Sequence, residues 1–239
     1  MEGLSKITIV LCGLLMTGCM PMMNMTSIKN NYSQIPESTK TIDIPKYDEV
    51  KHGLNGFPYV YWNFCKQKQK QLELDSPETS SDSLIYRMWI TNPVSRNNQP
   101  HGLIEIKYDS TKWSGKLIFM FVNFNSKHLT ESITKSKMME LQPLETNWES
   151  VVDSLFKYQI EILPTDEKIP DYYTEESRYS NNATTFSFEY ATKSIYRFYQ
   201  YSNIYRVSDK FWQAENIVKI GDLLEREFKW HSLGEEYFK

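Results

Sequence analysis

Apolar and polar positions along this chain fall into blocks whose period changes several times. From Leu84 to Thr91, Ile85, Arg87 and Trp89 alternate with Leu84, Tyr86 and Met88, the period of two that marks a strand. A turn-rich link from Asn92-Pro93 to Gln99-Pro100 leads to Gly102–Tyr108. There Ile104, Ile106 and Tyr108 share one face, with Glu105 and Lys107 on the other. Asp109-Ser110-Thr111-Lys112 and Gly115 predict a hairpin connection into Lys116–Asn125. The unbroken apolar run Leu117–Val122 inside it reads as a central strand buried on both faces. A further strand is expected around Lys137–Leu141.

The period then becomes helical. Thr146-Asn147-Trp148-Glu149 fits a capping box with Thr146 as the cap. Trp148, Val151, Val152, Leu155 and Phe156 follow at the spacing of one apolar face, and Pro164 prevents continuation. After an acidic, tyrosine-bearing loop over 165–182, Thr184–Ala191 and Ser194–Tyr201 alternate again, joined by Thr192-Lys193. A last helix is expected from Ser208-Asp209, with Ala214, Ile217, Ile220, Leu224 and Phe228 as its stripe and Gly221 as a point of close packing. Upstream, Phe57–Phe64 is rich in aromatic and β-favouring residues, and Pro58 limits it to an edge strand or loop. Lys66–Ser83 reads either as a strand with a solvated face running into a loop or as an insertion. The expected fold is α+β: one domain over 47–239, an antiparallel sheet of about five to seven strands and two main helices packed on one face.

The N-terminal block has a different character. Lys6 precedes the apolar run Ile7–Met16, which is about ten residues long and spans roughly 15 Å as a helix, half the hydrocarbon core of a bilayer. It ends Leu15-Met16-Thr17-Gly18-Cys19. This segment resembles the signal peptide of bacterial lipoproteins, whose lipobox has an aliphatic residue, two small residues and a cysteine. Thr17, Gly18 and Cys19 match the pattern, and Met16 stands where leucine is usual. The resemblance implies a signal over 1–18, cleavage before Cys19, and a diacylglycerol and a fatty acyl group such as palmitate on that residue. Two or more chains hold a protein to a membrane stably. Met20, in place of the aspartate that retains some lipoproteins in the inner membrane, favours the outer membrane. Residues 19–46 read as a lipidated tether with a root-mean-square span of roughly 28 Å. Met20, Met22, Met23 and Met25 are soft ligands suited to Cu(I), or simply the apolar continuation of the signal. No cofactor is expected.

Composition narrows the function. With 27 basic and 30 acidic side chains, net −3, the chain lacks the basic excess of a nucleic-acid binder. Membrane attachment is then left to lipid. Sixteen Tyr, 12 Phe and 6 Trp can fill a large core, whereas 9 Gly make a phosphate-cradling loop hard to build. Beyond Cys12 and Cys19 only Cys65 remains, so no internal disulfide forms in the body, and its aromatic neighbours favour a buried thiol over a nucleophile. His52, His101, His128 and His231 lack metal-ligand spacing and read as surface or loop residues, and no metal is expected. Asp166, Glu167, Asp171, Glu175 and Glu176 form either a solvated acidic loop or a Ca²⁺ cluster.

The sharpest constellation is the aromatic hairpin: Phe186, Phe188, Tyr190, Tyr196, Phe198, Tyr199, Tyr201 and Tyr205. With Phe186, Phe188 and Tyr190 in the core, Tyr196, Tyr199, Tyr201 and Arg197 are candidates for an exposed patch, because Tyr and Arg are enriched at interface cores. The alternative is ordinary sheet packing. The expected role is a membrane-anchored, non-enzymatic envelope lipoprotein that binds or scaffolds a protein partner. Two alternatives stand beside it: a small-ligand or glycan receptor using exposed aromatics, and a hydrolase built on two carboxylates or on Cys65 with His52.

Overall fold

The computed structural model describes residues 40–44, 57–91, 99–125, 127–128, 130–172 and 184–238. The signal, Cys19, most of the tether, the methionine cluster, His52, Glu175 and Glu176 lie outside them. Seven strands form one mixed sheet: β1 (Thr41–Asp43), β2 (Leu84–Thr91), β3 (Gln99–Tyr108), β4 (Trp113–Asn125), β5 (Thr130–Leu141), β6 (Thr185–Ala191) and β7 (Ile195–Ser202). Their spatial order is β1-β7-β6-β2-β3-β4-β5, antiparallel throughout except that β1 runs parallel to β7. Thr41–Asp43, read from sequence as tether, is therefore an edge strand, and Arg197 Nε donates to Asp43 Oδ2 at 3.0 Å to hold it there.

Five helices are present among the described residues: α1 (Phe57–Gln71), α2 (Trp148–Lys157), α3 (Ile204–Val207), α4 (Trp212–Phe228) and α5 (Trp230–Phe238). None is long and apolar enough to cross a membrane. One sheet face, carrying Tyr86, Met88, Ile104, Ile106, Leu117, Phe188, Tyr199 and Tyr201, packs on Val151, Val152 and Leu155 of α2 and on Ala214, Ile217, Ile220, Leu224 and Phe228 of α4. The other, carrying Ile85, Trp89, Leu103, Ile118, Met120, Tyr196 and Phe198, packs on Tyr59, Trp62 and Cys65 of α1. The expectation that helices cover one face is thus corrected: the segment expected to be an edge strand or loop is α1, and it covers the second face. Pro58 sits in the first helical turn, where a missing N–H costs nothing. Tyr59, Trp62, Cys65 and Gln69 then recur at helical spacing and are buried.

The central strand is as its apolar run implied. Leu117 and Phe119 enter one core, Ile118, Met120 and Val122 the other. β5 is longer than its sequence signal, with a register shift opposite Phe121 and Val122. Three local readings also change. Asn147, not Thr146, caps α2, accepting from Ser150 N at 2.8 Å; the Thr146 N–H goes instead to the buried carboxylate of Glu227 at 3.1 Å. The last long helix begins at Trp212, after the short α3. Gly221 faces open space, and the crowded glycine is Gly115, where an added Cβ would collide with the Trp148 ring.

Candidate functional site

The aromatic hairpin does not form a surface. Tyr196, Tyr199 and Tyr201 are 0%, 1% and 0% exposed. Tyr199 stacks on Phe188 with ring centroids 5.0 Å apart, and Tyr201 donates to the Pro164 carbonyl at 2.5 Å. Arg197 is committed to Asp43 and to the carbonyls of Glu161 and Leu163. The four residues expected as a patch are structural, because α1 buries the face that Tyr196 occupies while α2 and α4 bury the face of Tyr199 and Tyr201. Tyr205 alone of that sequence cluster stands out from the body, 70% exposed.

Two arrangements of chemical interest remain. The first is a charge network between α1 and the sheet. Glu189 on β6 is fully buried and accepts from Lys66 Nζ (2.8 Å), Trp89 Nε1 (2.7 Å) and Tyr196 OH (2.8 Å), while Trp62 Nε1 donates to the Tyr196 oxygen at 3.1 Å. Arg87 Nε donates to Glu105 at 2.6 Å, and its other nitrogens reach Gln69 Oε1 and the Asp75 carbonyl. Burial by itself would raise the Glu189 carboxyl. The Lys66 and Arg87 cations, with the bonds from Lys66 and Trp89, instead carry it down to about 2. Alternation on β2 and β6 carries Arg87, Trp89 and Glu189 onto the α1 side of the sheet. Every partner is supplied from within, so the network fastens α1 and offers no free group for catalysis.

Lys68 extends this layer. Its ammonium is buried beside Glu131 (3.1 Å), with Thr91 Oγ1 at 3.5 Å and His101 Nδ1 at 3.4 Å. His101, expected at the surface, is instead buried on β3 at 3% exposure. Burial, and then the Lys68 charge, hold its pKa well below the usual histidine value, so the ring is neutral. His128 and His231 are exposed.

The second arrangement is a cleft of about 370 Å³ where α5 crosses the ends of the central strands. Ile90, Gly102, Phe119 and Phe186 contribute apolar walls; Tyr205, Trp230, His231 and Glu235 stand around it, and His101 is part of its lining. The cleft is positioned by a tight α4–α5 joint. Lys229 adopts a left-handed conformation (φ 53°), Glu225 accepts from His231 N at 2.7 Å and from Ser232 Oγ at 2.8 Å, and Trp230 Nε1 donates to the Gly221 carbonyl at 3.3 Å. Gly234 lets α5 lie on the Phe119 ring, since a Cβ there would be 3.1 Å from Phe119 Cε1. A largely apolar concavity with a few polar groups is the usual form of a small-molecule site, and roughly 300–1,000 Å³ is the usual range. Sequence reading missed it because its walls come from separate strands and two helices; the exposed Tyr205 and the Trp230-His231 pair were its traces.

The other candidates disperse. Cys65 is buried, and burial raises its thiol above the usual range. In the acidic loop, Asp166 is buried and accepts from Ser202 N at 3.0 Å, which makes it an anchor for β7. No cluster of His, Cys, Asp or Glu with metal-binding geometry occurs among the described residues. No protein-family model, curated protein or solved structure matches this chain.

Proposed function

We propose that the chain is a lipid-anchored protein of the bacterial cell envelope whose body acts by binding, with the cleft beneath α5 as the site for a small, largely apolar ligand. The anchor is supported by Thr17-Gly18-Cys19 after a short apolar run, and Met20 supports the outer membrane as its destination. The binding role is carried by the cleft: about 370 Å³, walled by Ile90, Phe119 and Phe186 and flanked by Tyr205 and Trp230.

Each half has its own test. Cys19→Ser should move the protein from the membrane fraction to the soluble fraction, because the acyl chains supply the membrane affinity at about 0.8 kcal/mol per buried CH₂; unchanged membrane retention would refute the anchor. For the cleft, an environment-sensitive naphthalene dye should brighten on the wild-type protein, and Tyr205→Ala should weaken that binding several-fold with unchanged thermal stability. A second reading, a protein partner in the envelope, is favoured by Leu144, Ile162 and Trp212, apolar side chains left 62%, 60% and 48% exposed. Cross-linking in intact cells should then recover a stoichiometric complex.

A further inference from the structure

The two edges of the sheet are finished differently. One is the three-residue β1, held by Arg197. The other is β5, 12 residues long, and only its first half is covered. There the side chains of α1 take the place of a neighbouring strand. Gln67 Oε1 accepts from Glu131 N and Gln71 Oε1 from Ile133 N, both at 2.8 Å, while Gln71 Nε2 donates to the Glu131 carbonyl at 2.9 Å. In an antiparallel ladder every second residue turns its N–H and C=O away from the paired strand. The register shift opposite Phe121 and Val122 leaves Thr134 as the extra residue, which moves that outward set from Glu131 and Ile133 to Ser136, Met138 and Glu140. All three are exposed, and no described side chain caps their backbone. Lysines on an edge usually block pairing by reaching across it. Here Lys135 and Lys137 lean back over the Tyr237 ring of α5, 5.1 and 5.8 Å from its centroid, so both ammonium groups sit on one side of an open backbone. Neither is ion-paired with a carboxylate among the described residues. Met138, 46% exposed, is turned by alternation to the other side. An antiparallel second copy of β5 would bring its own two lysines to the same side and add like charge, whereas an acidic strand would complement them.

We infer that the open half of β5 takes an eighth strand: an extended segment of a partner protein, with acidic side chains at alternate positions facing Lys135 and Lys137 and an apolar one facing Met138. Backbone bonds to Ser136, Met138 and Glu140 supply the attachment, and the two lysines set the sequence preference. Gln67 and Gln71 end the docking segment at the bulge. No residue of β5 lines the cleft, so this edge binds its partner whether or not the cleft holds a ligand.

Two capped, fluorescently labelled peptides of about eight residues, enough to span the open edge, test this on the full chain by anisotropy. One alternates glutamate with valine, the other lysine with valine. The glutamate peptide should bind about tenfold more tightly than the lysine peptide. Lys135→Glu combined with Lys137→Glu should reverse that order, and because both side chains are exposed the fold should survive. Binding should slow amide hydrogen exchange at Ser136, Met138 and Glu140 and leave Glu131 and Ile133, already bonded to α1, unchanged. Met138→Pro removes one outward N–H at an edge position of the kind proline tolerates, and should abolish binding. Equal affinity for the two peptides, no binding of either, or binding without protection of those three amides overturns the proposal. Protection of the same amides in the unliganded protein, rising with its concentration, would assign the edge to a second copy of this chain and overturn it as well.

Discussion

Cys65 shows how far one residue can be read from its neighbours. Its place in Tyr61-Trp62-Asn63-Phe64-Cys65 implied burial, and it is 1% exposed, packed between α1 and the sheet. Desolvation dominates its ionisation and raises it, although the Lys68 charge works the other way. The nucleophilic thiolate is therefore scarce at neutral pH. In native buffer a thiol-specific disulfide reagent should label Cys65 at least a hundredfold more slowly than in strong denaturant, and rapid native labelling would show the α1 face to be open. His101 is the opposite case. Nothing in its local sequence distinguishes it from the exposed His128 and His231; its burial comes from Lys68 and Thr91, distant in sequence and brought beside it by α1 and β2. Residue type alone identified one of these sites and was blind to the other.

At the scale of elements, period was legible where a single face is buried or where the run is long. β2, β3, β4, β6, β7, α2 and α4 all stand close to where alternation or the helical stripe places them. The failure was α1, whose aromatic first half has high β-propensity and whose Lys-Gln second half looks solvated. Tertiary burial overrides both preferences: Lys68 and Gln69 are buried because Glu131, Thr91 and Arg87 offer them partners. That single error propagated, since without α1 one sheet face seemed open and Tyr196, which lies on it, seemed free to meet a partner. Glycines give a sharper test of the packing. Gly115→Ala should lower stability by about 1–3 kcal/mol through overpacking against Trp148 and Leu141. Gly221→Ala, in open space on α4, should raise it by about 0.5–1 kcal/mol through helix propensity. Denaturant midpoints of the two variants should move in opposite directions. Equal losses would mean that α4 is packed more tightly at Gly221 than the structure shows.

For the molecule as a whole, the two faces of the sheet are held by different physics, and pH should separate them. The α2–α4 face is an aromatic and aliphatic core, whereas α1 is fastened by Lys66, Lys68 and Gln69 to acidic and polar groups on β2, β5 and β6 as well as by Tyr59, Trp62 and Cys65. Glu189 titrates at about 2 when folded against an ordinary 4.5, so its contribution is complete above 4.5 and disappears as pH falls towards 2. Glu167 has the opposite sign. Burial, and then Asp166 beside it, raise its carboxyl to about 8, so the folded state keeps a proton that the unfolded chain releases, and stability drains as pH climbs from 4.5 to 8. For these two groups together, stability should peak near pH 4.5. Glu167→Gln should flatten the alkaline limb. Glu189→Gln should flatten the acid limb and, by removing one of the two carboxylates that face Lys66 and one of the two that face Arg87, cost about 1–3 kcal/mol at neutral pH. Because Glu189 acts on the α1 side, acid should loosen that side first. At pH 3 the α1 amides should exchange with solvent well before those of α4, and simultaneous exchange of the two helices would show that the sheet and both its covers unfold as one unit.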